Sequence, residues 1–461
     1  MPVELLFTDD DQILVTGFTS VVCGAGNDEF FAARFLSTGD IDSTFGEFGI
    51  ARVNPCISED FMSHSVLLSD GSVLLAGHEI WPYINDPVNQ GIVAKLHPDG
   101  TPDTSYGLGG IRYMNLGADV TVKGLGITSD DKAVVCMMGG GGGKAICRLD
   151  QFGAYDTTFS SYPIPLFGSD TTIHSIRVQG DDKILLWGTF GPASARVRYI
   201  VRYHEDLTID QTFGVNGWVS EPPTQNASWN DLTFDHLGRS VLLGSKDSMF
   251  SDGFMEVLRF NTDGTPDLSF GTNGASIVPI VTAGTPNIDP LPDGRIVFCW
   301  DQDCILVDQN GDQVLTFGDA GVASGQLPGS ALPRMGVEGD GSIIVARQAI
   351  QTETLQWTRF FTDISTTVQQ DPENGADEWS VFPNPFSDGL VVWKLEGNVE
   401  GPLRFELMQA DGRLLYSQTM ASAISCNDVR LDLPADLAAG SYLLAITSSK
   451  GTTVLPVLRS N

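Results

Sequence analysis

The chain has 461 residues, 51 of them glycine, with 18% charged residues and a formal net charge of −32. That composition belongs to a turn-rich, mostly β protein, and the length suits one large repeat domain with a smaller companion. The 26 lysines and arginines never cluster, which excludes a nucleic-acid surface, and no run reaches the ~18 apolar residues of a membrane helix.

Met1-Pro-Val-Glu4 runs straight into strand-like sequence with no secretory signal ahead of it. The expectation is therefore either a truncated chain or export by another route. From there a unit recurs. Each copy opens with a short apolar strand, a turn and a second apolar strand. The turns are Asp9–Gln12, Ser69–Gly71, Ser129–Asp131, Gly180–Asp182, His236–Gly238, Pro292–Gly294 and Gly339–Gly341. Asp-Gly and Asp-Asp supply the positive φ that tight hairpins need. The runs that follow, such as Val73–Ala76, Ile184–Trp187 and Ile343–Ala346, carry no charge, as strands buried on both faces do.

A third strand ends at a basic residue, and the unit closes with Asp-x-Ser/Thr-aromatic-Gly-x-x-Gly and a short fourth strand. The closing aromatics are Phe45, Tyr106, Phe159, Phe213, Phe270 and Phe317, at intervals of 61, 53, 54, 57 and 47 residues. Four strands per ~50 residues, repeated about seven times, is the arithmetic of β-propeller blades. Within the unit the basic residue precedes an aspartate by eight positions: Arg34/Asp42, Lys95/Asp103, Arg148/Asp156, Arg202/Asp210 and Arg259/Asp267. In the sixth unit both are lost together, as Leu306 and Val314. Removing one charge strands its partner without water, whereas replacing both can be neutral. The pattern predicts a buried or half-buried ion pair in each of five blades, with the aspartate also capping its own turn.

This pattern resembles the delta-60 repeat family of bacterial propeller-like proteins, best in Asp182-Lys-Ile-Leu-Leu-Trp-Gly188 and in Arg259 through Gly274. The resemblance covers residues 1–365. Unit three departs from it at Phe159-Ser-Ser-Tyr-Pro163, and unit seven, after Arg359, lacks the Asp and Phe-Gly segment. The ring either closes through a strand shared between the chain ends or stays open.

Seven cysteines are present, and two pairs are disulfide candidates. Cys299 and Cys304 flank a four-residue connection between apolar runs; Cys136 and Cys147 occupy two strands of another unit. The alternative is that all are small buried hydrophobes.

Residues 366–379 form an acidic linker, and 380–461 read as a small Ig-like β-sandwich of about seven strands. Pro383-Asn-Pro385, Asp411-Gly-Arg413, Leu437-Ala-Ala-Gly-Ser-Tyr442 and a terminal strand resemble the type A sorting domain of the type IX secretion system of Bacteroidetes. The resemblance implies engagement of that machinery through 380–461, export across the outer membrane, and release or attachment at the cell surface. Pro456 in the last strand fits only an edge position.

No catalytic, cofactor-binding or metal-ligating residue is assigned. Met138-Gly-Gly-Gly-Gly-Gly-Lys144-Ala145 lacks the first glycine and the Ser/Thr of a phosphate loop and reads as a hairpin loop. The histidines His64, His78, His97, His174, His204 and His236 show no ligand spacing. Asn261–Asp267 and Asp371–Asp377 are incomplete calcium loops, leaving Ca²⁺ as the one cofactor to consider. Trp81-Pro-Tyr83 and Trp229 are aromatics able to stack on sugars or to fill core and rim positions. Three functions stay open: a non-catalytic propeller binding an extracellular protein or glycan, which leads; a propeller lyase or hydrolase acting on polysaccharide; and a structural surface module. Titratable groups clustered at the central channel with perturbed pKa values favour the enzyme.

Overall fold

The computed structural model describes residues 2–8, 10, 12–19, 29–37, 39–53, 59–81, 88–114, 119–158, 170–225, 227–245, 254–279, 286–300, 303–324, 334–349, 354–360, 362, 379–382, 390–394, 403–409, 414–420, 428–431, 433, 437, 440–448 and 451–459. It contains two compact units, residues 1–36 with 41–362, and residues 37–40 with 363–461.

Among the described residues the first unit is built of seven antiparallel sheets in chain order. Their first strands are Pro2–Phe7, Glu59–Leu67, Thr121–Ile127, Thr171–Val178, Ser228–Phe234, Asn287–Pro290 and Arg334–Val337. Five sheets have four described strands; the third and seventh have three. Each first strand touches the first strand of the next sheet, and Pro2–Phe7 touches Arg334–Val337. The circle therefore closes by packing: no strand is shared between the chain ends among the described residues. Leu5, Ile13 and Val15 pack on Ile344 and Ala346 to form the core between the last sheet and the first. Comparable apolar cores lie between the other neighbouring sheets, for example Leu74, Val93 and Tyr106 with Val122 and Val135. Sheets buried on both faces explain why the apolar runs that open the second strands carry no charge; Glu79 and Arg347 come later in theirs.

The five ion pairs form. Arg202 Nε donates to Asp210 Oδ2 at 2.8 Å, and the same bond is 2.8 Å in Arg34/Asp42, 3.0 Å in Arg148/Asp156 and 2.8 Å in Arg259/Asp267. Lys95 Nζ lies 3.3 Å from Asp103. The other carboxylate oxygen accepts from the hydroxyl and amide two residues on, as Asp210 Oδ1 does from Thr212 at 2.5 and 3.1 Å. In the sixth unit Leu306 is fully buried and Val314 packs beside it.

The closing signature also fastens one sheet to the next. The amide of Gly46, beside buried Phe45, donates to Asp99 O at 2.7 Å in the following unit; Gly214 does the same to Asp263 O at 2.6 Å. A Cβ on Gly264 would lie 2.9 Å from the Phe213 ring, so the turn glycine is required by its neighbour's aromatic. Phe159 lies outside the described residues.

Cys299 and Cys304 are directly opposite in register and form a disulfide. Cys136 and Cys147 do not: both are buried and free. Cys136 pairs with Ile146, and Cys147 with Val135, so the two side chains leave opposite faces of the sheet into different cores. Cys23, Cys56 and Cys426 are outside the described residues.

In the second unit a three-stranded sheet (Trp379–Phe382, Leu390–Lys394, Asp428–Leu431) accompanies a four-stranded one ordered Leu414–Met420, Leu403–Gln409, Gly440–Ser448, Gly451–Arg459. Leu431 of the first joins Phe405, Leu407, Leu444 and Ile446 of the second in one core. Pro456 lies on the edge strand of the four-stranded sheet.

Candidate functional site: the central channel

The first strands share an irregularity. Five of them carry a bulge, which leaves Val3, Ser63, Lys123, His174 and Asn230 without a partner opposite. Four of the bulges lie over glycines of the second strand, Gly17, Gly77, Gly188 and Gly244. A Cβ on Gly77 would sit 2.1 Å from Phe61 O, and one on Gly188 2.0 Å from Thr172 O. That approach is the reason for the glycine that ends the second-strand motif.

The residue after each bulge occupies one common level. The first four strands place Glu4, His64, Gly124 and Ser175 there, opposite Thr16, Ala76, Cys136 and Trp187. Asp231, Asn287 and Arg334 complete the level, opposite Leu243, Cys299 and Ala346. Two residues on, Arg177 and Asp289 are the charged members of the next level. Apart from Gly124, these first-strand groups line a cavity of about 530 Å³ that runs among all the first strands except the third.

Its charged groups are half-buried around the cavity, and their titration is displaced by that burial and by one another. Burial raises Glu4 against the pull of Arg177 and of Ser65, whose hydroxyl donates to Oε2 at 2.8 Å. Burial likewise raises Asp231, although Arg177 lies 3.5 Å away and the Leu232 amide donates to it at 2.8 Å. Asp289 is pushed up to about 7, by burial first and then by the Asp231 carboxylate, with Arg177 working against the rise. No described residue donates a hydrogen bond to the Asp289 side chain. His64 is pulled down to about 3 by burial and by Arg177, Arg334 and Lys123, and is therefore neutral. Its Nε2 meets Ser175 Oγ at 3.2 Å, while its buried Nδ1 and the buried Oδ1 of Asn287 have no partner. Charged and orphaned polar groups converging on a cavity are the usual mark of a ligand site.

None of these lining residues was assigned a role from the sequence except as a scattered histidine. A signal existed. Each member of the first level precedes the third residue of its hairpin turn by seven positions, as His64 precedes Gly71 and Asp231 precedes Gly238. Only knowledge that first strands line a channel gives that column meaning.

The other sequence candidates fall elsewhere. Trp229 is 3% exposed beneath the Arg198 guanidinium, which lies 4.0 Å from its ring, so it is core and offers no sugar platform. The side chain of Trp81, and Pro82 and Tyr83, are outside the described residues. His97 and His204 are half-exposed turn residues 3.8 and 3.6 Å from Asp103 and Asp210. Gly140–Gly142 form the tip of a hairpin between Ala133–Met138 and Lys144–Leu149. In the Asn261 loop, Asp263 Oδ1 accepts from Thr265, and Asp267 is bonded to Ser269 and Arg259. The Asp371–Asp377 loop is outside the described residues. No group of three or more His, Cys, Asp or Glu among the described residues is placed to hold a metal ion.

Segments 8–45, 68–106, 179–213 and 253–270 match a beta-propeller family described as a domain of unknown function (DUF5122). The chain is thus a β-propeller repeat protein, in agreement with the delta-60 pattern. Residues 380–457 match the secretion system C-terminal sorting domain, so this is a propeller carrying the type IX sorting tail. The tail marks a protein that is secreted or held at the outer surface, and implies interaction with the type IX machinery. No helix among the described residues is long and apolar enough to cross a membrane.

Among solved structures, PorZ, a surface component of the type IX secretion system of Porphyromonas gingivalis, is 12% identical with a TM-score of 0.41. The alignment covers 99% of this chain and 59% of that one, so the chain spans about three fifths of PorZ. A calcium-binding protein, regucalcin, from Agrobacterium tumefaciens is 10% identical with a TM-score of 0.32, covering 78% of this chain and 89% of that one. No curated protein sequence matches the chain.

Proposed function

We propose that this protein is a secreted or surface-held binding propeller whose ligand site is the central channel. The observation that carries the reading is the single level of unlike polar groups, Glu4, His64, Asp231, Asn287 and Arg334, facing a cavity of about 530 Å³. Repeated positions in this chain serve the scaffold, as the five ion pairs do. The channel column is where the units differ, and differing residues confer selectivity. A cavity of this size suits one or two sugar rings or a comparable polar molecule.

The test is a glycan and surface-protein binding screen on the full chain, with and without calcium, repeated on Asp231→Asn and Arg177→Gln. Ligands lost in both variants support the channel. Ligands retained in both place binding on another surface and refute the reading.

The clustered channel groups with displaced pKa values that the sequence reading named as favouring an enzyme are present, and they support catalysis as the second reading. Asp289, pushed up to about 7, shares the cavity with Asp231 and Glu4, whose carboxyls are also raised, and a carboxyl titrating near neutrality can serve as a general acid or base. Sugar release from a polysaccharide panel by the full chain, abolished in Asp289→Asn, would establish the enzyme.

A further inference from the structure

The channel's charges do not balance, and the imbalance points to the kind of ligand it holds. Arg177 pairs with Asp231 at 3.5 Å. Arg334 opposes Glu4, whose carboxylate it steadies along with Arg177 and Ser65. Lys123 acts on His64, His78 and His174 and is not among the groups that act on the three carboxylates. His64 is neutral. One carboxylate, Asp289, is left with neither a cation of its own nor any hydrogen-bond donor among the described residues. Two positions earlier on the same strand, and therefore on the same face, Asn287 presents an orphaned acceptor, Oδ1. Two adjacent acceptors lacking donors, beside an odd carboxylate, form a receptor for a group that brings both protons and positive charge.

We propose that the channel selects a small organic cation, a ligand bearing a primary ammonium group that seats against Asp289 and Asn287. The inference rests on the channel being the ligand site. The ammonium supplies the missing donors and completes the pairing of three carboxylates with three cations. The long-range field agrees with the local chemistry: a net charge of −32 attracts cations and repels anions. Binding is also coupled to a proton. In the empty channel below neutrality Asp289 is held in its acid form by burial and by Asp231. An ammonium ion favours the carboxylate, so the carboxyl O–H bond breaks and its proton leaves to solvent, close to one proton per ligand near pH 6. Above pH ~8 the release disappears, since Asp289 is already ionised.

The experiment uses three sugars of one skeleton and different charge, glucosamine, N-acetylglucosamine and glucuronate, titrated calorimetrically into the full chain. Paired buffers of different ionisation enthalpy report the proton. The expected result is glucosamine binding with proton release at pH 6, and at least about tenfold weaker binding by Asp289→Asn, the loss appropriate to a charge-assisted bond. The near-isosteric Asp289→Asn is checked by its thermal transition, and Asn287→Asp, which adds a carboxylate at the same seat, is expected to tighten glucosamine. Equal or tighter binding of N-acetylglucosamine or glucuronate, weakened by Asp231→Asn or Arg177→Gln, overturns the inference and leaves the channel reading standing. No binding of any of the three removes the inference, while the channel reading stands or falls by whether ligands from the glycan and protein screen are lost in Asp231→Asn and Arg177→Gln.

Discussion

The joint loss of charge in the sixth unit makes the repeated ion pair open to a double-mutant cycle, and Arg202/Asp210 is the cleanest member. The Asp210 side chain is fully buried and that of Arg202 is 7% exposed. Burial tends to raise the Asp210 carboxyl, yet Thr212 and Arg202 outweigh it and hold it below the usual carboxylate range. Arg202 also donates to Thr262 O of the next unit and lies 4.4 Å over the Phe213 ring. Asp210→Val leaves the guanidinium buried without its counter-charge, a loss of ~3–5 kcal/mol, with ~1 kcal/mol more for each of the two Thr212 bonds. Arg202→Leu leaves Asp210 alone in the core, at a similar cost. The double variant reproduces Leu306 and Val314. It loses the turn bonds but gains apolar burial of ~1.5–3 kcal/mol per side chain, so its net cost is ~0–2 kcal/mol. The coupling energy should therefore exceed ~3 kcal/mol. Urea unfolding followed by tryptophan fluorescence measures all four proteins. Single effects that add to within ~0.5 kcal/mol would show that the pair is not a unit and that the correlated loss in the sixth unit is accidental.

Stability should respond to pH in two opposed ways. Asp156 is lowered to about 2, by the Thr158 hydroxyl first and also by Arg148, so its contribution is complete above pH ~4 and is lost as pH falls toward 2. Asp289 is raised to about 7, so the folded state holds the extra proton and stability declines as pH rises from ~4 to ~7. Asp289→Asn should abolish that decline, and an unchanged profile of melting temperature against pH would contradict the assignment. Gly188→Ala places a methyl 2.0 Å from Thr172 O, which must shift the bulged strand. We expect ~1–3 kcal/mol of destabilisation in urea and a disturbed channel. Native alkylation followed by peptide mapping should leave Cys136 and Cys147 unmodified, since both are buried and burial pushes the Cys147 thiol up to about 12. Replacing both Cys299 and Cys304 by serine opens a short loop and should cost ~2 kcal/mol; no change on reduction of the wild type would refute the bridge.

What the sequence determined by itself is whatever is encoded locally. The turn residues, the Arg/Asp spacing of eight and the closing aromatic-glycine signature each act within one unit or between adjacent turns. The repeat and its ion pairs could therefore be read from offsets alone, whereas Cys299–Cys304 is in sequence one of two candidate bridges and register decides between them. The sorting tail is legible for the same reason, its marks standing in order along a short segment. What only the tertiary structure decided depends on closure of the ring. Glu4 and Arg334 share a channel because the seventh sheet packs against the first, and no local offset expresses that contact. Cys136 and Cys147 part company because a register shift of one residue sends them to opposite faces. Asp289 differs chemically from a surface aspartate only because the closed ring half-buries it beside the channel while two other first strands bring Asp231 and Glu4 near.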